Sequence, residues 1–242
     1  MTSGQSTPVG GHDEPHHDGG GTRRNWLRAG VLGANDGLVS TAGLVIGVAG
    51  ATSSATALLT AGLAGLLAGS LSMAAGEYVS VSSQRDSEQA ALNQERDELA
   101  DTPEAELTEL TGLFEAKGLD PALAREVAVE LTAHDALGAH AETELGIDPD
   151  ELTNPWHAAT ASSVSFALGA LLPLLAMVLI PAPARLCATV AAVLVALTVC
   201  GWVSSVIGHA PKRPAVVRNV VGGALAMAVT YGVGSLLGAV GV

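Results

Sequence analysis

Charge is scarce in this chain, and most of it has one sign. Of 242 residues only 14% are Asp, Glu, Lys or Arg, while 48% are hydrophobic, and the mean hydropathy is positive. A soluble globular domain carries about a quarter charged residues, so the composition points to a membrane protein. Basic residues number 11 against 24 acids, a net charge of −13. A chain this acidic lacks the basic surface that nucleic acid requires, and no nucleic-acid partner is expected. Cysteine is nearly absent. Cys187 and Cys200 lie thirteen residues apart in one apolar stretch, too far along a helix to bridge each other, so neither a disulfide nor a cysteine metal site is expected. A signal peptide is not visible either. The first 25 residues are polar, rich in His and Gly, and have no apolar core. They are expected to form a disordered cytoplasmic tail, in which His12, His16 and His17 of HDEPHHD make a weak metal-trapping pattern without fixed geometry.

What the chain has in quantity is long uncharged sequence. Residues 158–180, 186–208 and 219–242 contain no Asp, Glu, Lys or Arg, and each is long enough for the roughly 20 residues that cross a bilayer as helix. Two further apolar stretches, 26–50 and 57–84, carry one acid each. The expected fold is an all-α membrane protein with five transmembrane helices, an odd number that puts the termini on opposite sides. Residues 1–25 are then the tail, 26–84 hold transmembrane helices 1 and 2, 85–153 form a cytoplasmic acidic domain of three helices, and 154–242 hold helices 3 to 5. Ten of the 11 basic residues fall on one side of this arrangement; only Arg185 falls on the other. Because basic residues mark the cytoplasmic side, the N-terminus and the acidic domain are placed in the cytosol; with no targeting segment visible, a bacterial cell membrane is the expected residence.

An acid deep in an apolar span is costly unless it has a partner or a task. Asp36 stands eight residues from Arg28, and Glu77 eight from Arg85, which puts both carboxylates roughly 12 Å inside the same charged edge. Met73 is one turn from Glu77 on the same helix face. Two carboxylates and a thioether at one level suit a divalent metal of intermediate softness such as ferrous iron or manganese. The other reading of Asp36 is a carboxylate hydrogen-bonded to a neighbouring span. Glycines line both stretches and allow close helix approach, and Asn35-Asp36-Gly37 is expected to loosen the backbone at the acid. Pro173 is expected to kink the third span.

Nineteen of the acids lie between residues 86 and 151, against three bases. The first of the three expected helices there continues the second span to about Leu99. The second starts at Pro103 and stops at Gly118, and the third runs from Asp120-Pro121 to Gly146. Leu107, Leu110, Leu113 and Phe114, with Leu123, Val127, Leu131 and Leu137, recur at helical spacing and would make a small core. Glu95 and Glu98, Glu106 and Glu109, and His140 and Glu144 are pairs that share a helix face. If the faces converge they form an oxygen-rich cluster with one nitrogen donor; if not, they are an ordinary solvated acidic surface. His134, four residues after Glu130, is either a further donor or a surface histidine.

VLGANDGLVSTAGLVIGV at 31–48, AGLLAGSLSMAAGEYVSVSSQRD at 64–86 and SFALGALLPLL at 165–175 together resemble the vacuolar iron transporter family, whose members move ferrous iron and often manganese out of the cytosol. The resemblance covers nearly everything from Asn25 onward. It implies a five-helix homodimer with the path near its axis and a cytoplasmic three-helix metal-binding domain. It also implies that Asp36, Met73 and Glu77 line the path and that Glu95, Glu98, Glu106, Glu109 and Glu144 bind metal, with His140 where some relatives have methionine. Export in exchange for protons is a further implication. On this reading the chain is not an enzyme and holds no permanent cofactor; Fe2+ or Mn2+ is its substrate, with Zn2+ a third candidate. Two alternatives are a membrane-anchored di-iron carboxylate oxidase and a metal-sensing or storage module. The first calls for Glu-x-x-His pairs, which the acidic block lacks. The second needs neither intramembrane acids nor a proline within a span.

Overall fold

A computed structural model describes residues 20–150 and 152–241. Among them all regular structure is helical: α1 (Gly20–Ala51), α2 (Ala55–Asp101), α3 (Pro103–Ala116), α4 (Pro121–His140), a π-helical turn (Ala141–Leu145), α5 (Pro155–Leu179), α6 (Ala182–Ile207) and α7 (Lys212–Ala239). Five helices, α1, α2, α5, α6 and α7, are long and apolar enough to cross a membrane. They coincide with the five expected spans. Residues 1–19 of the expected tail, with its three histidines, lie outside the described residues, and its last six residues, 20–25, belong to α1. α1 begins at Gly20, six residues before the expected start of the first span.

The helix ends follow from their residues. Asn154 Oδ1 accepts the Trp156 N–H at 3.0 Å and so caps α5 ahead of Pro155. Asp120 Oδ1 does the same for the Ala122 N–H at the start of α4, with Pro121 at the first helical position. Gly118, at φ 100°, takes the left-handed conformation that ends α3. At 47 residues, α2 is about 70 Å long, far more than a bilayer crossing needs, and no Pro or Gly follows Gly76 within it to stop the helix earlier. One expectation fails here. α1 runs unbroken through Asn35-Asp36-Gly37, because a single glycine within a helix costs only about 1 kcal/mol.

The chain divides into two compact units, one reaching to Leu63 and resuming at Leu168, the other Ala64–Ala167. The first has a core of Leu38, Ala42, Val45 and Ile46 from α1, Leu58 from α2, Met177 from α5, Val193 and Leu197 from α6, and Met227 from α7. Its α1 and α7 pack almost backbone to backbone. A Cβ on Gly234 would overlap the Gly47 carbonyl, and one on Gly50 would stand 2.6 Å from the Tyr231 carbonyl and 2.9 Å from the Ser235 nitrogen. These glycines of α1 therefore serve packing within the chain.

In the second unit α2 and α5 meet where Gly69 makes room for the Phe166 ring, and the Tyr78 and Trp156 rings lie 4.7 Å apart at 51°. The small core of the acidic region departs from expectation. Leu110 and Leu92 are buried, but Leu123 and Leu131 are exposed, and Ala124, Ala128 and Ala141 take the inner positions instead. α4 turns its alanine row inward because small side chains let it approach α3 closely, which a leucine row would prevent.

Candidate metal centre

The inward faces of α2, α3 and α4 meet at His140. Its ring is fully buried, with Nδ1 2.9 Å from Oε1 of Glu95 and 3.8 Å from Oε2 of both Glu106 and Glu144. Glu95 and Glu106 are buried as well, Glu98 is half-buried and Glu144 is partly exposed. Helix periodicity explains the gathering. Glu95 and Glu98 sit three apart on α2, while His140 ends α4 and Glu144 follows four residues on, in the π-helical turn. Glu106 stands in the first turns of α3, close behind the short link from α2.

Glu95 and His140 lack the partners that buried polar groups ordinarily have. The 2.9 Å approach of His140 to Glu95 does not have hydrogen-bond geometry, and Glu95 Oε1 and both ring nitrogens are buried without any hydrogen bond. Buried, unpaired donors are expensive unless something else binds them. Ligand atoms of Glu95, His140 and Glu144 lie within 4.8 Å of one another, as do those of Glu95, Glu98 and Glu106. Ligands that share an ion at about 2.0–2.3 Å stand up to about 4.5 Å apart, so each trio fits a cation with little movement. Glu95 belongs to both trios.

The electrostatics agree. Burial first, and then Glu144, Glu106, Glu98 and Glu109 in turn, push the Glu95 carboxyl up to about 7. Burial, and then the charge of Glu109, raise Glu144 too, while His140 acts in the opposite direction. The cluster thus holds more negative charge than the metal-free protein accommodates, and a divalent cation would relieve it. The donor set is mostly oxygen with one imidazole, which suits manganese, iron or zinc.

Not every expected residue joins. Glu109 is exposed and belongs to neither trio, so it contributes field rather than a close donor. His134 is exposed. In the spans, Asp36 lies on α1 of the first unit, where its Oδ1 accepts a hydrogen bond from Ser40 Oγ at 3.0 Å. Met73 and Glu77 lie half-buried on α2 in the second unit. The sequence reading missed Ser40, although a serine four residues after an acid on one helix is the visible signal for such a bond. Asn35, expected only to loosen the backbone, has its side-chain oxygen buried beside Asp36 without a partner.

Comparison with known proteins agrees with this architecture. The chain is 46% identical over 212 residues to an Acanthamoeba castellanii protein named vacuolar iron transporter, covering 87% of this chain and 78% of that protein. It is 41% identical over 230 residues to vacuolar iron transporter homolog 1 of Oryza sativa subsp. japonica, covering 93% and 81%. With vacuolar iron transporter homolog 3 of Arabidopsis thaliana it shares 38% over 217 residues, covering 89% and 85%. The VIT family model matches residues 27–235. With five helices fit to cross a membrane, that match along most of its length, and these relatives, the chain is a multi-pass membrane protein and belongs to the VIT family.

Proposed function

We propose that this protein moves ferrous iron or manganese out of the cytosol in exchange for protons, and that the acidic helices gather the metal at the cytosolic mouth. The observation that carries the reading is the buried His140 with three carboxylates around its Nδ1 and no hydrogen bond to satisfy it. The relatives' names favour iron as cargo. The nineteen acids between residues 86 and 151 raise the local cation concentration, and the converging donors select among cations. Asp36, Met73 and Glu77 carry the ion through the spans on this reading. A single copy offers one Asp36 and one Met73, too few ligands to replace a hydration shell, so the transporter works as a homodimer.

The test is metal flux into proteoliposomes loaded with a fluorescent chelator, with and without a pH gradient. Wild type should take up Fe2+ or Mn2+ faster with an opposing proton gradient. Asp36→Ala should abolish uptake while reaching the membrane in normal amount. Undiminished flux in Asp36→Ala would remove that residue from the path, and metal binding without any flux would favour the storage or sensing reading.

A further inference from the structure

α4 is interrupted. At Asp135 the backbone leaves helical space (φ −154°, ψ 96°), and the Asp135 carboxylate turns onto the chain that follows, its Oδ1 accepting the Gly138 N–H at 3.0 Å. An extended acid that accepts a hydrogen bond from the third residue after it is a helix N-cap, here placed inside a helical run. Gly138 leaves room for this placement of the carboxylate: a Cβ on it would come within 2.9 Å of Asp135 Cγ, so a larger residue there would require the Asp135 side chain to turn away. The other end of the segment is also special. The π-helical turn Ala141–Leu145 closes on Gly146, which sits at φ 66° and donates its N–H to the Ala141 carbonyl. π turns are uncommon and often stand at functional sites.

His140 and Glu144 lie between these two breaks. The remaining donors, Glu95, Glu98 and Glu106, stand on α2 and α3, which have no such interruption among their described residues. One non-helical residue redirects everything beyond it, so a straight α4 would aim His140 elsewhere. We propose that Asp135 and Gly138 are positioning residues for the metal centre: the internal cap sets the direction of segment 136–145 and so brings His140 and Glu144 to the glutamates of α2 and α3. This inference rests on the metal-gathering reading of the cluster. Alanine at 135 would act twice, deleting the cap and favouring the continuous helix that turns both donors away.

The experiment titrates Mn2+ calorimetrically into the full chain in detergent, for wild type, Asp135→Ala, Asp135→Asn, Gly138→Ala and His140→Ala. Loss of an N-cap corresponds to about a fivefold change in an equilibrium, and Asn caps as well as Asp. Asp135→Ala and Gly138→Ala should therefore bind Mn2+ about fivefold more weakly or worse, while Asp135→Asn stays close to wild type. Paramagnetic broadening of the His140 ring protons by substoichiometric Mn2+ should be lost in Asp135→Ala and kept in Asp135→Asn. That signature reports where the imidazole sits, which general stability does not. Wild-type affinity in both Asp135→Ala and Gly138→Ala, with His140→Ala weakened, would overturn the positioning role and leave the metal centre standing. Equal weakening in Asp135→Asn and Asp135→Ala would overturn it too, because charge rather than capping would then be the cause. Wild-type binding by His140→Ala would overturn the metal-centre reading and this inference with it.

Discussion

Glu95 is the side chain on which the centre turns, since it touches His140 and belongs to both donor trios. Burial and the neighbouring carboxylates push its carboxyl up to about 7 in the folded protein, from an ordinary 4.5. Between those values the folded chain keeps a proton that the unfolded chain has released, so the contribution of Glu95 to the stability of the metal-free protein declines as pH rises from about 4.5 to 7 and is flat above. We predict that Glu95→Gln, which removes the buried charge, raises the metal-free melting temperature at pH 8 and leaves it nearly unchanged at pH 4.5. Equal shifts at both pH values would count against the charge argument. Metal requires the ionised carboxylate, so Mn2+ affinity should rise as pH climbs through 7, with proton release detectable in buffers of different ionisation enthalpy. The structure also separates two glutamates that spacing alone treats as equals. Glu106→Gln should weaken Mn2+ binding roughly tenfold or more, the scale on which loss of even an outer partner is felt, while the exposed Glu109→Gln should cost only a few-fold through the field. The i, i+3 pattern shows that Glu106 and Glu109 share a face, but which of them points inward depends on how α3 rolls against its neighbours, a tertiary fact.

At the scale of elements, the starts and stops were legible because their chemistry is local: Asn154 and Asp120 at N-caps, Pro121 at a first turn, Gly118 at an end. The five spans were legible because lipid demands length and apolarity from each helix separately. The orientation of α4 was not. Apolar periodicity favours the row with Leu123 and Leu131, yet the alanine row faces inward, since what decides is how near α4 must come to α3 for His140 to approach Glu106. Ala124→Leu and Ala128→Leu should each overpack this contact and destabilise the acidic helices by about 1–3 kcal/mol, whereas Leu123→Ser should stay within about 0.5 kcal/mol of wild type. Thermal melts followed by circular dichroism decide the matter; a larger loss from Leu123→Ser would mean that the leucine row is the packed one. The same reasoning applies to α1 and α7. Gly234→Ala places a methyl group on the Gly47 carbonyl and should lower resistance to unfolding in mixed micelles, with no effect on Mn2+ binding at the acidic cluster.

For the whole molecule, the odd number of candidate spans makes the side that each end faces directly testable. If all five helices cross, the two termini lie on opposite sides, and the basic residues at the start of α1, from Arg85 to Arg125 and at the start of α7 all argue for one cytosolic side. On that topology Arg185 alone falls on the opposite side; its Nε donates to the Ile180 carbonyl at 3.3 Å, a short-range tie that satisfies a single guanidinium N–H without a carboxylate. If the acidic helices face the cytosol, a cysteine at Asp101 should react with a membrane-impermeant maleimide only after cells are permeabilised, while a cysteine appended after Val242 should react in intact cells. Both variants need Cys187→Ala and Cys200→Ala so that the native thiols add no signal. Export from the cytosol requires that orientation, since the metal-gathering donors must meet the ion before it enters the spans. Labelling of the Asp101 cysteine in intact cells would place the cluster on the outer face, and the same ten basic residues would then have to be explained by something other than topology.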